Sequence, residues 1–302
     1  MTTPIVRLTN ADDIFSGTER ADTILGLGGS DTIHGRGGDD RLFSYDEMSF
    51  AQWYDRTLTD KASYIDGGAG NDEIESFGTQ RAVGIGGSGN DSVIARSYGS
   101  AKGEGGTGND VVGVSGERGE AWADGGAGDD LVAVKSRYGN AVGLGGAGND
   151  ELSMDRSARG TLMGGAGNDT MVVTGANPGQ VTLMVGGTGR DIMQGDSAGI
   201  EIYRFKEGHT GAGARADVIR VFGEEDKIDL SPIDANGAAR GDGSFRWVGR
   251  TADPKPGEVG YHETTIDGAH AVVVSFDYGQ GNHEIVLLQP QDPTLSAADF
   301  ML

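Results

Sequence analysis

GGAGNDEIESFGTQRAVGIGGSGND (67–91) states one six-residue phrase twice, first ending at Asp72 and then at Asp91. Five further copies follow: GGTGND (105–110), GGAGDD (125–130), GGAGND (145–150), GGAGND (164–169) and GGTGRD (186–191). Each reads Gly-Gly-x-Gly-x-Asp, with an apolar residue two places after the Asp. A phrase that returns every 19 to 22 residues means stacked units, not one irregular globule. Glycines that expose main-chain carbonyls beside an aspartate also offer a hard cation an oxygen-only nest.

The pattern starts earlier, at a strict nine-residue period. TNADDIFSG (9–17), TERADTILG (18–26), LGGSDTIHG (27–35) and RGGDDRLFS (36–44) place Asp13, Asp22, Asp31 and Asp40 in register. Two residues after each aspartate come Phe15, Ile24, Ile33, Leu42, Ile74, Val93, Val112, Val132, Leu152, Met171 and Met193. All are apolar in a very polar chain. Nine residues give one turn and one short strand, and eighteen a full coil. Coils then pair as parallel strands about 4.8 Å apart, with the apolar residue of each strand inside.

These repeats resemble the calcium-binding nonapeptide of RTX (hemolysin-type) proteins. The resemblance implies an all-β fold: a right-handed parallel β-roll followed by a β-rich C-terminal region. Calcium is expected between stacked turns, held by Asp13, Asp22, Asp31 and Asp40 and by the repeated phrase. Its ligands there are Gly67, Gly68, Gly70 and Asp72; Gly86, Gly87, Gly89 and Asp91; Gly105, Gly106, Gly108 and Asp110; Gly125, Gly126, Gly128 and Asp130. The series continues with Gly145, Gly146, Gly148 and Asp150; Gly164, Gly165, Gly167 and Asp169; and Gly186, Gly187 and Asp191. The stack would take roughly six to nine ions.

A second resemblance covers the last hundred residues. ADVIRVFGEEDKIDLSPIDA (216–235) and TLSAADFML (294–302) look like the C-terminal region of the serralysin metalloproteases. Val221 departs from that family, which usually has an acidic residue there. The resemblance implies a C-terminal type I secretion signal, hence an extracellular protein of a Gram-negative bacterium whose partner is the type I export machinery. It does not bring protease activity. The five histidines are His34, His209, His262, His270 and His283. His262-Glu263 is followed by Ile266 where a second ligand belongs, and His283-Glu284 by Leu287, so the zinc helix cannot be built.

The expected organisation is a roll over 1–199 and a serralysin-like cap over 200–302. Within the roll come nonapeptides (9–44), an aromatic-rich insertion (45–66) and one-sided calcium repeats (67–195). The insertion carries Tyr45, Phe50, Trp53, Tyr54 and Tyr64. In the cap, IEIYRF, VIRVF, FRWVG, HAVVVSF and HEIVLL alternate like antiparallel strands.

Composition narrows the function. Fifty-five glycines against seven prolines would suggest disorder, but the glycines are periodic. A net charge of −22 disfavours nucleic acid as a partner and opposes folding of the stacked aspartates without metal. With no cysteine, disulfides and thiol chemistry are excluded. MTTPIVRLTN (1–10) has no secretory-signal pattern, and no run approaches the ~18 apolar residues of a membrane span.

From Gly67 onward the phrase comes once per coil, so all these nests share one edge. The turns of the other edge hold Arg81, Arg96, Lys102, Arg118, Lys135, Arg137, Arg156 and Arg159. Phe77, Tyr98, Arg118, Tyr138 and Arg159 recur there once per coil as a ladder of rings and guanidinium groups. Trp122 sits on a return strand whose inward positions are small (Gly103, Ala123, Gly143), so it is expected to face outward. This edge has two readings: a structural substitute for calcium, or a strip for an anionic polysaccharide or cell-surface glycan. The overall expectation is a secreted calcium-binding RTX protein that binds or supports rather than catalyses. No serine elbow of the G-x-S-x-G type occurs, and repeats beginning by residue 9 leave no separate catalytic domain. The alternative is a polysaccharide lyase or epimerase.

Overall fold

The computed structural model describes residues 4–45, 62–155, 159–235, 243–290 and 294–302. The chain divides into two compact units, 1–159 and 160–302. The first unit consists of two sheets of parallel strands, and the chain crosses from one to the other at every turn. One sheet runs Ile5–Arg7, Thr23–Leu25, Arg41–Phe43, Glu73–Gly78, Ser92–Ser97, Val111–Gly116, Leu131–Ser136 and Glu151–Asp155. The other runs Ile14–Ser16, Thr32–Gly37, Ala62–Ala69, Arg81–Ser88, Ser100–Thr107, Ala121–Ala127 and Asn140–Ala147. This is the expected parallel β-roll.

Register follows the aspartates. Val93, Val112, Val132 and Leu152 stand side by side on four neighbouring strands. Alternation then buries the residue two places after each Asp. Ile24, Ile33, Leu42, Ile74 and Val93 join Ile65 in one fully buried cluster, with Phe15 half-buried against its end. The roll is thin because the second sheet offers small residues inward. A Cβ on Gly84 would lie 2.8 Å from Val93 Cγ1, and one on Gly103 would lie 2.7 Å from Val114 Cγ2. The valines of the first sheet fill the space that those side chains would need.

The aromatic insertion falls mostly at 46–61, outside the described residues. Its C-terminal part is ordinary roll: Tyr64 lies in the strand Ala62–Ala69, paired with Thr32 and Val83. The repeat thus resumes by residue 62, because Ile65 keeps the inward phase. Tyr45 is also part of the roll. It is buried edge-on against Phe77 and Phe43 and donates its hydroxyl to Glu75.

In the second unit, parallel pairing continues past residue 199. Val181–Thr188, Ile200–Arg204, Lys227–Asp229 and Phe300–Met301 form one parallel series. Thr170–Thr174, Ile192–Gln194, Asp217–Arg220 and Asn282–Leu288 form another. The antiparallel expectation therefore fails for IEIYRF and VIRVF, whose inward Tyr203 and Ile219 simply extend the coil register. Trp247 in FRWVG likewise pairs in parallel, with Val259. The expectation holds for HAVVVSF and HEIVLL, in Ala269–Asp277 and Asn282–Leu288, and the unanticipated strand Glu258–Ile266 pairs antiparallel with the former. Asp267 and Gly268, both at positive φ, close the first of these hairpins with a two-residue turn.

Candidate metal centre

Each Gly-Gly-x-Gly-x-Asp turn uses its glycines differently. A Cβ on Gly67 would collide with Asp72 Oδ2 and lie 2.7 Å from the carbonyl oxygen of Gly86 on the next coil. Gly68 and Gly70 adopt φ of 104° and 134°, in the region that glycine alone enters freely. The same pair of angles recurs at Gly87 and Gly89, Gly106 and Gly108, Gly126 and Gly128, and Gly146 and Gly148. In the second unit it recurs at Gly165 and Gly167, and at Gly187 and Gly189. The first glycine of each turn thus admits the carboxylate, and the next two bend the chain around it.

The aspartates form a ladder. In the first unit the backbone N–H of one rung donates to Oδ1 of the next. Asp22 bonds Asp40 at 2.7 Å, Asp40 bonds Asp72 at 2.8 Å, and Asp72 bonds Asp91 at 2.8 Å. Asp91 then bonds Asp110 at 2.7 Å, Asp110 bonds Asp130 at 2.8 Å, and Asp130 bonds Asp150 at 2.9 Å. In the second unit Asp169 donates to Asp191 at 2.9 Å and Asp191 to Asp217 at 2.8 Å. The N–H of Asp217 ends that series on Thr210 Oγ1 at 3.0 Å. On the opposite edge Asp13 donates in the same way to Asp31 at 3.0 Å.

The second carboxylate oxygen carries the metal argument. Asp40, Asp72, Asp91, Asp110 and Asp130 are buried, and their Oδ2 atoms accept no hydrogen bond. Asp191 and Asp217 share this state. A row of buried carboxylate oxygens without donors is costly unless something positive meets them. Asp13 and Asp22 differ. Their Oδ2 atoms each take a main-chain and a hydroxyl donor from one threonine, Thr9 and Thr18 respectively. Threonine replaces the second glycine in those turns, so the two end rungs are satisfied locally.

Burial, reinforced by the charge of adjacent rungs, pushes the Asp91 and Asp130 carboxyls up to about 7. Burial likewise lifts Asp40 and Asp191 to about 6 and Asp217 to about 8. Among the described residues no three Asp, Glu or His side chains converge on one point. An ion on this edge must therefore complete its shell with turn carbonyls, which suits a hard oxygen-seeking cation and not zinc.

A parallel ladder escaped the sequence reading. The residue before each Asp accepts from its counterpart one coil on. Asn71 Oδ1 takes the N–H of Asn90 at 2.7 Å, Asn90 that of Asn109 at 2.8 Å, and Asn109 that of Asp129 at 3.0 Å. Asp129 takes that of Asn149 at 2.7 Å. The signal was the recurrence of Asn where the phrase leaves the position open.

The opposite edge of the first unit is basic and aromatic as expected. Arg118 lies over the Tyr98 ring at 5.0 Å, and its N–H bonds the Tyr98 carbonyl at 3.0 Å. Arg137 covers Tyr138 at 5.2 Å and pairs with Glu117 at 3.3 Å. Tyr98 and Tyr138 are 41% and 60% exposed. Trp122 faces outward beneath Lys102, 4.7 Å from its ring. Arg159 is exposed at the start of the strand Arg159–Ala166. Phe77 is a correction: it is 5% exposed, held in the cluster with Leu25, Phe43 and Tyr45. Its ring belongs to the core because the strand Glu73–Gly78 turns it in beneath Tyr45.

Residues 9–44, 59–76 and 160–173 match the RTX calcium-binding nonapeptide repeat, in four copies. The match does not reach residues 200–302. No curated protein matches the chain. The chain thus carries RTX calcium-binding repeats on a parallel β-roll.

Proposed function

We propose that this chain is a secreted protein that folds on meeting calcium outside the cell and then acts as an extracellular binding or structural module. The carrying observation is the row of buried Oδ2 atoms from Asp40 to Asp130 that the protein leaves without donors. Calcium, when bound, supplies positive charge between rungs and takes carbonyl and carboxylate oxygens into one shell. Asp40, Asp72, Asp91, Asp110, Asp130 and Asp150 would hold it, with carbonyls of the adjoining glycines. The chain's own part is to fix each Oδ1 through a main-chain donor and leave Oδ2 for the ion. Where calcium is scarce, mutual repulsion keeps the acidic chain open. At about 1 mM calcium, sites with dissociation constants of ~10⁻⁴–10⁻³ M fill, and binding to the folded state alone supplies folding free energy.

Export fits a type I route, on the resemblance of residues 216–235 and 294–302 to the serralysin C-terminus. The exposed Tyr98, Arg118 and Tyr138, with the half-buried, outward-facing Trp122, form the strip that would receive an anionic glycan, stacking on sugar faces and pairing with carboxylates. We read the chain as a binder and not an enzyme. Circular dichroism in EGTA and then in calcium tests the folding claim: β-signal that chelation leaves unchanged would remove it. Titration with a polyuronate in calcium tests the strip, with Arg118→Ala expected to lose binding while keeping the calcium-induced fold.

A further inference from the structure

The second unit has a buried polar cluster that no repeat phrase announces. The strand Ile200–Arg204 begins after the turn 195–199, and its partner is Lys227–Asp229. Their register, Ile202 opposite Lys227, sets Glu201 beside Asp226. The Glu201 N–H donates to Asp226 Oδ1 at 2.8 Å. This is the rung bond of the aspartate ladder, which joins Asp191 to Asp217 in the same register on the other sheet. The turn 195–199 has no Gly-Gly-x-Gly-x-Asp phrase, and Glu replaces Asp.

Glu201 is 0% exposed, and its carboxylate meets the Asp226 carboxylate and the Asp196 N–H. The Tyr203 hydroxyl is equally buried, with the Gly195 N–H beside it. Both groups converge on Gly195: a Cβ there would lie 2.8 Å from Glu201 Oε2 and would collide with the Tyr203 hydroxyl. Gly199 borders the other oxygen, its Cβ position being 2.7 Å from Oε1. Asp226 is buried, with Oδ2 taking the Gly223 N–H at 2.8 Å. Among the described residues neither carboxylate has an ion pair; the nearby Arg204 is committed to Asp229 at 2.6 Å. Two solvent-free carboxylates in contact need a cation or a shared proton, and the phenol offers a third oxygen beside them.

We propose that Glu201, Asp226 and the Tyr203 hydroxyl form a cation site for a hard divalent ion, separate from the aspartate ladder. The donor set is all oxygen, as calcium prefers, and the longer glutamate reaches across a turn that lacks the glycine phrase. The identity of the ion as calcium rests on the reading of the ladder; the existence of the site does not.

Anomalous scattering from crystals of the full chain soaked in terbium, a calcium surrogate, tests it directly. The expected result is a peak against Glu201 and Tyr203 in addition to peaks along the Asp72–Asp150 edge. Ladder peaks with none at Glu201 would overturn the site and leave the ladder intact. A peak at Glu201 without ladder peaks supports the site and sinks the ladder reading. Absence of both sinks both. In solution, Glu201→Gln is expected to bind one calcium fewer than the parent by equilibrium dialysis. Tyr203→Phe is expected to keep the count while weakening one ion about tenfold, the loss of one hydroxyl ligand. Unchanged stoichiometry in a folded Glu201→Gln variant refutes the site.

Discussion

Replacing Asp110 by asparagine separates the two jobs of one carboxylate. Oδ1 of Asp110 receives the Asp91 N–H at 2.7 Å, whereas Oδ2 is buried and receives nothing. Asparagine keeps an acceptor for the first contact and puts an amide where an ion would need an oxygen. Asp110 borders two inter-coil gaps, toward Asp91 and toward Asp130. Losing one to two ions lowers the dependence of stability on calcium by about 1.4–2.7 kcal/mol per tenfold change once sites fill. At about 1 mM calcium, with dissociation constants of ~10⁻⁴–10⁻³ M, each lost ion costs roughly 0.4–1.4 kcal/mol. Asp110→Ala should show the same loss of slope. It should add a calcium-independent cost of about 1–3 kcal/mol, because the buried Asp91 N–H loses its acceptor. Urea melts at several calcium concentrations read both quantities. Equal slopes in the parent and Asp110→Asn would refute the assignment of Oδ2 to an ion.

Acid should replace calcium in part. Folded-state carboxyls raised to about 7 at Asp91 and Asp130 and to about 6 at Asp40 and Asp191 bind protons more tightly than the unfolded chain. The calcium-free roll therefore gains stability as pH falls through about 7 toward 4 and loses it as pH rises through that window. Far-ultraviolet circular dichroism in EGTA at pH about 8 and about 5 checks this, and weaker β-signal at the lower pH would contradict it. Gly103→Val forces methyl groups onto Val112 and Val114, 3.0 and 2.7 Å from the new Cβ, and should cost about 1–3 kcal/mol in calcium. Gly113→Val, whose Cβ would meet nothing nearer than Ile94 at 3.9 Å, should stay within about 0.5 kcal/mol. Tyr138→Ala should leave the calcium midpoint unchanged and weaken polyuronate binding, measured by titration calorimetry; a shifted midpoint would make the edge structural.

The parallel roll was legible because phase and phrase agree. Asp72 and Ile74, or Asp130 and Val132, fix turn and inward strand together, and the coil leaves no other arrangement. The small return-strand residues Gly103 and Ala123 were legible for the same reason. Phe77 was misread because its spacing matched the exposed turn residues, and only the packing of Tyr45 over it reveals an inward ring. The paths of Tyr203 and Ile219 were hidden because alternation alone does not distinguish parallel from antiparallel partners. Asp13 and Asp22 fit the period, but their threonines supply local donors, a contact that periodicity does not encode.

The rung bonds all point one way. Each aspartate gives its N–H to the coil that follows, and in the second unit the last donor, Asp217, is met by the Thr210 hydroxyl. The two ends of such a stack are therefore not equivalent. A cut on the N-terminal side merely uncovers an acceptor that water can wet. A cut on the C-terminal side strands an N–H in a dry interior. Thr210 thus works as a terminator, and shortened versions of the chain should tolerate erosion from the front far better than from the back.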